Sequence, residues 1–129
     1  MILTIRTYKP EAELGIYDGN KKLAYETWQA HRQLAESMHT QIAKILQFVG
    51  KELSEIDGIV VFQGPGSFTG LRIGISVANA LSYSLQAPIV GTSGDDWILT
   101  GITQLKDATI GTLVVPRYGS EARITAQKK

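Results

Sequence analysis

Residues 58 to 85 read GIVVFQGPGSFTGLRIGISVANALSYSL, and this stretch decides the fold. Its opening, GIVVF, is apolar without a break, which is typical of a strand covered on both faces. A loop rich in glycine follows, and apolar side chains then recur at helical spacing. A buried strand, a tight loop and a helix in this order predict part of a parallel β-α-β unit in an α/β protein.

Further elements are predicted on both sides of this unit. Asp18-Gly19-Asn20 is a strong hairpin signal because these residue types tolerate positive φ. The predicted order is strands over residues 1–7, 12–16 and 22–28, a helix over residues 33–49, the strand and helix just described, a strand over residues 88–91, a short helix over residues 97–105 and a strand over residues 110–115.

This order predicts an α/β fold in which a mixed sheet of order βββαβαβ is flanked by helices. An antiparallel meander feeding a parallel pair is the layout of the ribonuclease-H-like half-domain that actin, sugar kinases and Hsp70 chaperones share, known as the ASKHA fold. A chain of 129 residues suits one such domain. We expect the domain to cover residues 1–119 and a polar C-terminal tail to cover residues 120–129.

Composition excludes several classes of function. The net charge of +1 comes from mixed acids and bases, so no basic stripe suggests direct tRNA binding. The absence of cysteine excludes disulfides, thiol nucleophiles and cysteine metal sites. The N-terminus lacks the features of a signal peptide, and the longest uncharged run, residues 73–94, contains too many polar residues for a membrane span. We therefore expect a cytoplasmic protein with no membrane contact.

The glycine loop invites comparison with phosphate-binding loops, since many helices bind phosphate at their N-terminus. A P-loop ends in Gly-Lys-Ser/Thr, which is missing here, and Gly70 follows Gly66 by four residues where a dinucleotide fingerprint needs three. The favoured interpretation is structural: the glycines make a sharp turn and let the helix approach the strand, while Ser67 and Thr69 cap the helix. The residues of this structural loop are Gly64, Pro65, Gly66, Ser67, Phe68, Thr69, Gly70 and Gly74.

The helix after the loop is apolar on every side. Small residues recur every fourth position from Gly70 to Ser82, and Arg72 is the only charged residue between Gly58 and Gly94. Such a helix is either pure core or partly covered by a protein partner. The predicted partner interface, with Leu71, Ile75 and Asn79 facing outward, comprises Leu34, Met38, Ile42, Ile45, Leu71, Arg72, Ile75, Asn79 and Ser82.

No set of residues forms a recognisable active site. His31 and His39 are eight residues apart, which fits neither a helical metal pair nor a zinc-protease motif. Asp95 and Asp96 are better placed to start a helix than to bind a cation. We therefore expect no catalytic residue, no metal and no cofactor.

The block DGIVVFQGPGSFTGLRIG at residues 57–74 strongly resembles the TsaB (YeaZ) family, which has GPGSFTG-[LV]-R-I-G after a strand. ILTIRT at residues 2–7 resembles the opening ILxIDT of that family, with Arg6 in the place of the acid. RQLAE at residues 32–36 resembles R-x-H-S-E, with Leu34 and Ala35 replacing His-Ser, and PIVGTS at residues 88–93 resembles a later strand. The similarity covers about residues 1–119.

The resemblance implies a non-catalytic scaffold, or dimerisation subunit, that pairs with the catalytic subunit TsaD. Together they make threonylcarbamoyladenosine at the tRNA adenosine next to the anticodon. Pairing uses two helices from each subunit, which here are those beginning at Leu34 and Leu71. The resemblance further implies a TsaE-like ATPase as an additional partner and a homodimer when TsaD is absent.

Two departures from the family pattern qualify this reading. Arg6 replaces an acid that related ATPases use near the metal of the nucleotide, which favours a non-catalytic role. The chain is also short, so we expect a version reduced to the N-terminal domain, either naturally or by truncation of a longer protein. The alternatives are a weak ATPase or glycoprotease-like enzyme, and a tRNA-binding accessory module that uses Arg117, Arg123, Lys128 and Lys129.

Overall fold

The computed structural model describes residues 1–30, 33–66 and 68–117. Its elements are β1 (Ile2–Arg6), β2 (Glu11–Asp18), β3 (Lys21–Gln29), α1 (Leu34–Val49), a short 3-10 helix (Leu53–Glu55), β4 (Gly58–Phe62), α2 (Phe68–Leu85), β5 (Ile89–Thr92) and α3 (Trp97–Leu105). His31, Arg32, Ser67 and the predicted tail, residues 120–129, lie outside the described residues, as does the Phe68 side chain.

The five strands form one mixed sheet in the order β3-β2-β1-β4-β5. β1 lies at its centre, antiparallel to β2 and parallel to β4, and β4 is parallel to β5. β4 is buried along its whole length, as the apolar run GIVVF predicted. The predicted α/β fold with the order βββαβαβ is confirmed, and α3 follows the last strand.

The helices cover the two faces of the sheet unequally. Thr7 follows β1 and donates a hydrogen bond from Oγ1 to the Gly70 carbonyl of α2 at 2.8 Å. Thr4 is three residues before Thr7, so the two side chains lie on opposite faces of the sheet. Val60 pairs with Thr4 and shares its face, where Val60 packs against Gly101 of α3. Because α1 contacts α2 and the hairpin of β2 and β3, α1 and α2 form a two-helix layer on one face, whereas among the described elements α3 is the helix on the other face.

Two helix predictions hold and one strand prediction does not. The predicted bounds of α1 and α3 match the structure within one residue, and Gly50 ends α1 in the left-handed conformation. The strand predicted over residues 110–115 is wrong, because this part of the chain pairs with no strand among the described residues.

In the described part of the chain, no helix combines the length and the apolar character needed to cross a membrane.

Residues 112–117, here called the strap, belong to no helix or strand and are held mainly by amide side chains. Asn79 Nδ2 donates to the Val114 carbonyl at 2.8 Å, and the Val114 amide donates to Asn79 Oδ1 at 3.0 Å. Gln63 Nε2 donates to the Val115 carbonyl at 2.9 Å. The Arg117 amide donates to the Gln63 carbonyl at 2.8 Å. These amides satisfy the backbone groups that a neighbouring strand would otherwise pair.

Candidate functional site

The expected partner interface lies mostly inside the molecule. Leu71 is 0 % exposed and Ile75 is 2 % exposed, so the expectation that they face outward is wrong. The other buried members of the predicted set are Leu34, Met38, Ile42, Ile45 and Ser82. The apolar members fill the layer between the two helices and the sheet, because that is where a two-helix layer buries its apolar stripes, and Ser82 donates a hydrogen bond to the Ala87 carbonyl.

Two members of the predicted set have other positions. Asn79 is half-buried, but its carboxamide holds the strap and does not face solvent as expected. Arg72 is exposed on the outer side of α2. Of the predicted set, Arg72 therefore remains directly accessible to a partner.

The outer side of the two-helix layer carries two shallow hollows, which together we call the outer α1–α2 surface. One hollow, of about 350 Å³, is lined by Ala35, Thr69, Arg72, Ile73, Ser76 and Val77. The other, of about 560 Å³, is lined by His39, Ile42, Ala43, Leu46, Gln47, Gly50, Lys51, Glu52, Leu53 and Leu81. Ile73, Val77 and Leu81 are partly buried against the core and form an apolar row at helical spacing. The spacing of this row is visible in the sequence, but the predicted interface did not include it.

The glycine loop is packed closely against the rest of the protein. Gly66 lies against Tyr8, Gly64 against the Arg117 carbonyl of the strap, and Gly74 against Thr7. Gly64 has a backbone φ of 118°, which residues other than glycine rarely adopt, and a cis peptide bond joins it to Pro65. Thr69 is exposed. The loop therefore has close packing contacts that would explain its glycines without a bound phosphate.

A charged and aromatic cluster lies on the α3 side of the sheet, where β1 and β4 end. Arg6 Nε and Nη2 donate to the two carboxylate oxygens of Glu13 at 2.8 and 2.9 Å. The guanidinium carbon also lies 4.9, 5.3 and 5.4 Å from the ring centres of Tyr8, Phe62 and Trp97. Tyr25 donates its hydroxyl to Glu13 as well. We call these six residues the Arg6 cluster.

Burial and charge set the protonation states in the Arg6 cluster. Burial by itself lowers the pKa of Arg6, but the hydrogen bonds and negative charge of Glu13 outweigh it, and the pKa lies above its ordinary value. Burial raises the pKa of Tyr25, and the hydrogen bond to Glu13 and its charge raise it further. At neutral pH Arg6 is therefore charged and Tyr25 is neutral.

Neither histidine belongs to a metal-binding group in the described part of the chain. His39 is exposed on α1, beside the larger hollow, and His31 lies outside the described residues. Across residues 1–30, 33–66 and 68–117, no three His, Cys, Asp or Glu side chains are grouped closely enough to share a metal ion.

Comparison with known proteins identifies relatives of this fold and sequence. A family model described as "TsaD: tRNA N6-adenosine threonylcarbamoyltransferase" matches residues 28–109. The tRNA N6-adenosine threonylcarbamoyltransferase of Geotalea uraniireducens (strain Rf4) is 44% identical over 64 residues, which cover 50% of this chain and 19% of that protein. The tRNA threonylcarbamoyladenosine biosynthesis protein TsaB of Escherichia coli (strain K12) is 39% identical over 72 residues, covering 52% and 31%.

A solved structure gives the same result. YeaZ from Pseudomonas aeruginosa superposes with a TM-score of 0.63 at 29% identity, covering 71% of this chain and 43% of its own. The chain thus spans less than half the length of these relatives. The family match extends over more than half of the 129 residues. The chain therefore belongs to the family of the tRNA N6-adenosine threonylcarbamoyltransferase TsaD, with TsaB and YeaZ proteins among its relatives, and the predicted TsaB (YeaZ) resemblance is confirmed.

Proposed function

We propose that this chain is a non-catalytic scaffold subunit in the synthesis of threonylcarbamoyladenosine on tRNA. In this proposal it works in the cytoplasm, pairs with a TsaD-like catalytic subunit, and forms a homodimer when that subunit is absent. The names of its relatives support a role in this modification. The observation that carries the scaffold role is the outer α1–α2 surface, an accessible apolar area on the two helices.

The shape of this surface supports pairing by helices. Ala35 and Ala43 on α1 are small and exposed, so a partner helix could approach the α1 backbone closely. The row of Ile73, Val77 and Leu81 on α2 supplies apolar contacts beside them. A standard interface buries about 800 Å² per partner, which two helices of 16 and 18 residues are long enough to provide. We propose this outer surface in place of the buried residues that the sequence analysis selected.

The Arg6 cluster supports the absence of catalysis by this chain. Ligands of open α/β sheets bind beyond the carboxyl ends of the strands, at the point where the strand order reverses. β1 ends near such a point, between an antiparallel and a parallel neighbour, and its last residue is a cation paired with Glu13. Because Arg6 occupies both carboxylate oxygens of Glu13, this carboxylate is not available to a divalent metal ion that would accompany a nucleotide. We propose that residues 1–119 form one domain that acts by binding, with a TsaE-like ATPase as a further partner.

Charge on the outer surface is expected to abolish pairing without unfolding the chain. Val77→Glu places a carboxylate in the apolar row, where a partner would have to bury it, and a lone buried charge is strongly unfavourable. We expect loss of the complex with a TsaD homologue, measured by light scattering during size-exclusion chromatography, and a nearly unchanged circular dichroism spectrum. Thr100→Glu on the exposed side of α3 adds the same charge on the other face of the sheet and should pair normally. Normal pairing by Val77→Glu would place the interface elsewhere.

We also expect this chain to bind ATP with magnesium weakly at best. Arg6 occupies the end of β1, where it holds both oxygens of Glu13, and its raised pKa keeps it charged at neutral pH. Isothermal titration calorimetry should show no binding with a micromolar dissociation constant. Micromolar binding, or turnover of ATP by the purified chain, would contradict the proposal and favour the enzyme alternative. Salt-dependent binding of tRNA by the chain alone would instead favour the tRNA-binding alternative.

A further inference from the structure

The Arg6 cluster has the composition of a binding site for a planar cation. Glu13 offers both carboxylate oxygens to two parallel N–H groups, the fork geometry in which guanidinium binds a carboxylate best. Three aromatic rings lie within 4.9–5.4 Å of the guanidinium carbon, the range in which rings attract a cation. The Glu13 side chain is 7 % exposed and the Arg6 side chain 22 %, so the carboxylate is the buried base of the site and the cation lies nearer to solvent.

The residues around Arg6 are held in place by contacts that do not involve Arg6. The Phe62 ring packs against Tyr8 and Trp97, with ring centres 5.0 and 5.8 Å apart. Tyr25 donates its hydroxyl to Glu13 and fixes the orientation of the carboxylate. Glu13 itself is in β2, which is paired on both sides. The walls and the base of the site therefore come from separate elements, each with its own support.

From this geometry we infer that the fold builds a guanidinium-binding site at the carboxyl ends of β1 and β4, which Arg6 occupies as a ligand supplied by the chain itself. The site selects a flat, delocalised cation, because an ammonium group cannot fill a two-oxygen fork and lie against several rings at once. A divalent metal ion finds only one carboxylate among the six residues of this cluster, whereas hard divalent cations take about six or more oxygen ligands.

The inference predicts that an emptied site accepts free guanidinium. In the full chain, Arg6→Ala should lower the melting temperature, because Glu13 is left buried without its partner. Low-millimolar guanidinium chloride should then raise that melting temperature in a saturable manner. A rise of several degrees is expected at roughly twenty times the dissociation constant, whereas wild-type protein should show only the slight fall caused by a denaturant. Sodium chloride at equal ionic strength controls for screening.

Two further variants decide whether the carboxylate and the planar group are responsible. Arg6→Ala combined with Glu13→Gln removes the anionic base, so guanidinium should no longer raise its melting temperature. Arg6→Lys keeps the charge in an intact chain, and we expect its melting temperature to fall well below that of wild type. Equal rescue by sodium chloride, no response of Arg6→Ala to guanidinium, or a wild-type melting temperature for Arg6→Lys would each overturn the inference.

Discussion

Replacing Ile75 by glutamate is expected to unfold this protein, not merely to separate it from a partner. The Ile75 side chain is 2 % exposed and lies in the layer between α2 and the sheet. A buried charge without a partner costs about 3–5 kcal/mol, and small domains are stable by only about 5–15 kcal/mol. At room temperature, we expect the Ile75→Glu variant to have lost most of its helical circular dichroism signal. On heating, we expect it to show no cooperative unfolding transition.

Val77→Glu is the matched control for this experiment. It adds the same carboxylate to the same helix two residues later, on the outer side, where the side chain is only partly buried. We expect the Val77→Glu variant to melt cooperatively, within a few degrees of wild type. A folded Ile75→Glu variant that melts like wild type would show that the inner side of α2 is not core.

Replacing Gly74 by leucine is expected to have an effect of similar size. A Cβ at this position would overlap Thr7 Oγ1 and would lie 3.0 Å from both Thr7 Cβ and Cγ2. Glycine inside a helix normally costs about 1 kcal/mol relative to alanine, but overpacking costs about 1–3 kcal/mol. We therefore expect Gly74→Ala to be destabilised in urea unfolding and Gly74→Leu not to fold. Ala80→Leu, which adds bulk on the exposed side of the same helix, should be tolerated.

A second substitution tests whether Thr7 is the cause. Thr7→Ala removes the hydroxyl and methyl groups that Gly74→Ala would meet, and it also removes the 2.8 Å hydrogen bond to Gly70. The free energies of unfolding of the two single variants and the double variant form a thermodynamic cycle. The double variant should lose less stability than the two single losses added together. Strict additivity would mean that Gly74 is required for another reason.

The order of the elements could be read from the sequence, because local signals specify it. Alternation predicted the first strands, an unbroken apolar run predicted β4, and the Asp18-Gly19-Asn20 turn fixed the hairpin between β2 and β3. The inner and outer sides of α2 were assigned wrongly for a physical reason. The helix is apolar all round, so its periodicity defines stripes without telling which stripe meets the sheet. The contact between α2 and Thr7, which is far away in the sequence, determines which stripe faces the sheet.

The Arg6 cluster was only partly predictable. The cation in β1 was visible as a departure from a family pattern, and the hairpin register that pairs Arg6 with Glu13 could have suggested its partner. Tyr8, Phe62 and Trp97 are distant in sequence and meet only because two parallel strands end side by side beneath α3. The strap escaped prediction for a related reason, since the partners of its backbone are the side chains of Gln63 and Asn79.

The way in which the strap is attached determines how this domain would respond to mechanical force. Tension applied to the chain after Arg117 reaches the strap first. The hydrogen bonds of the strap to Gln63 and Asn79 follow one another along the chain. Such bonds are loaded one after another, so the strap would peel away at low force. The ladder between β1 and β4 lies deeper in the sheet and would still be intact. When the chain after Arg117 is pulled, the strap would therefore detach before the force reaches the packed sheet.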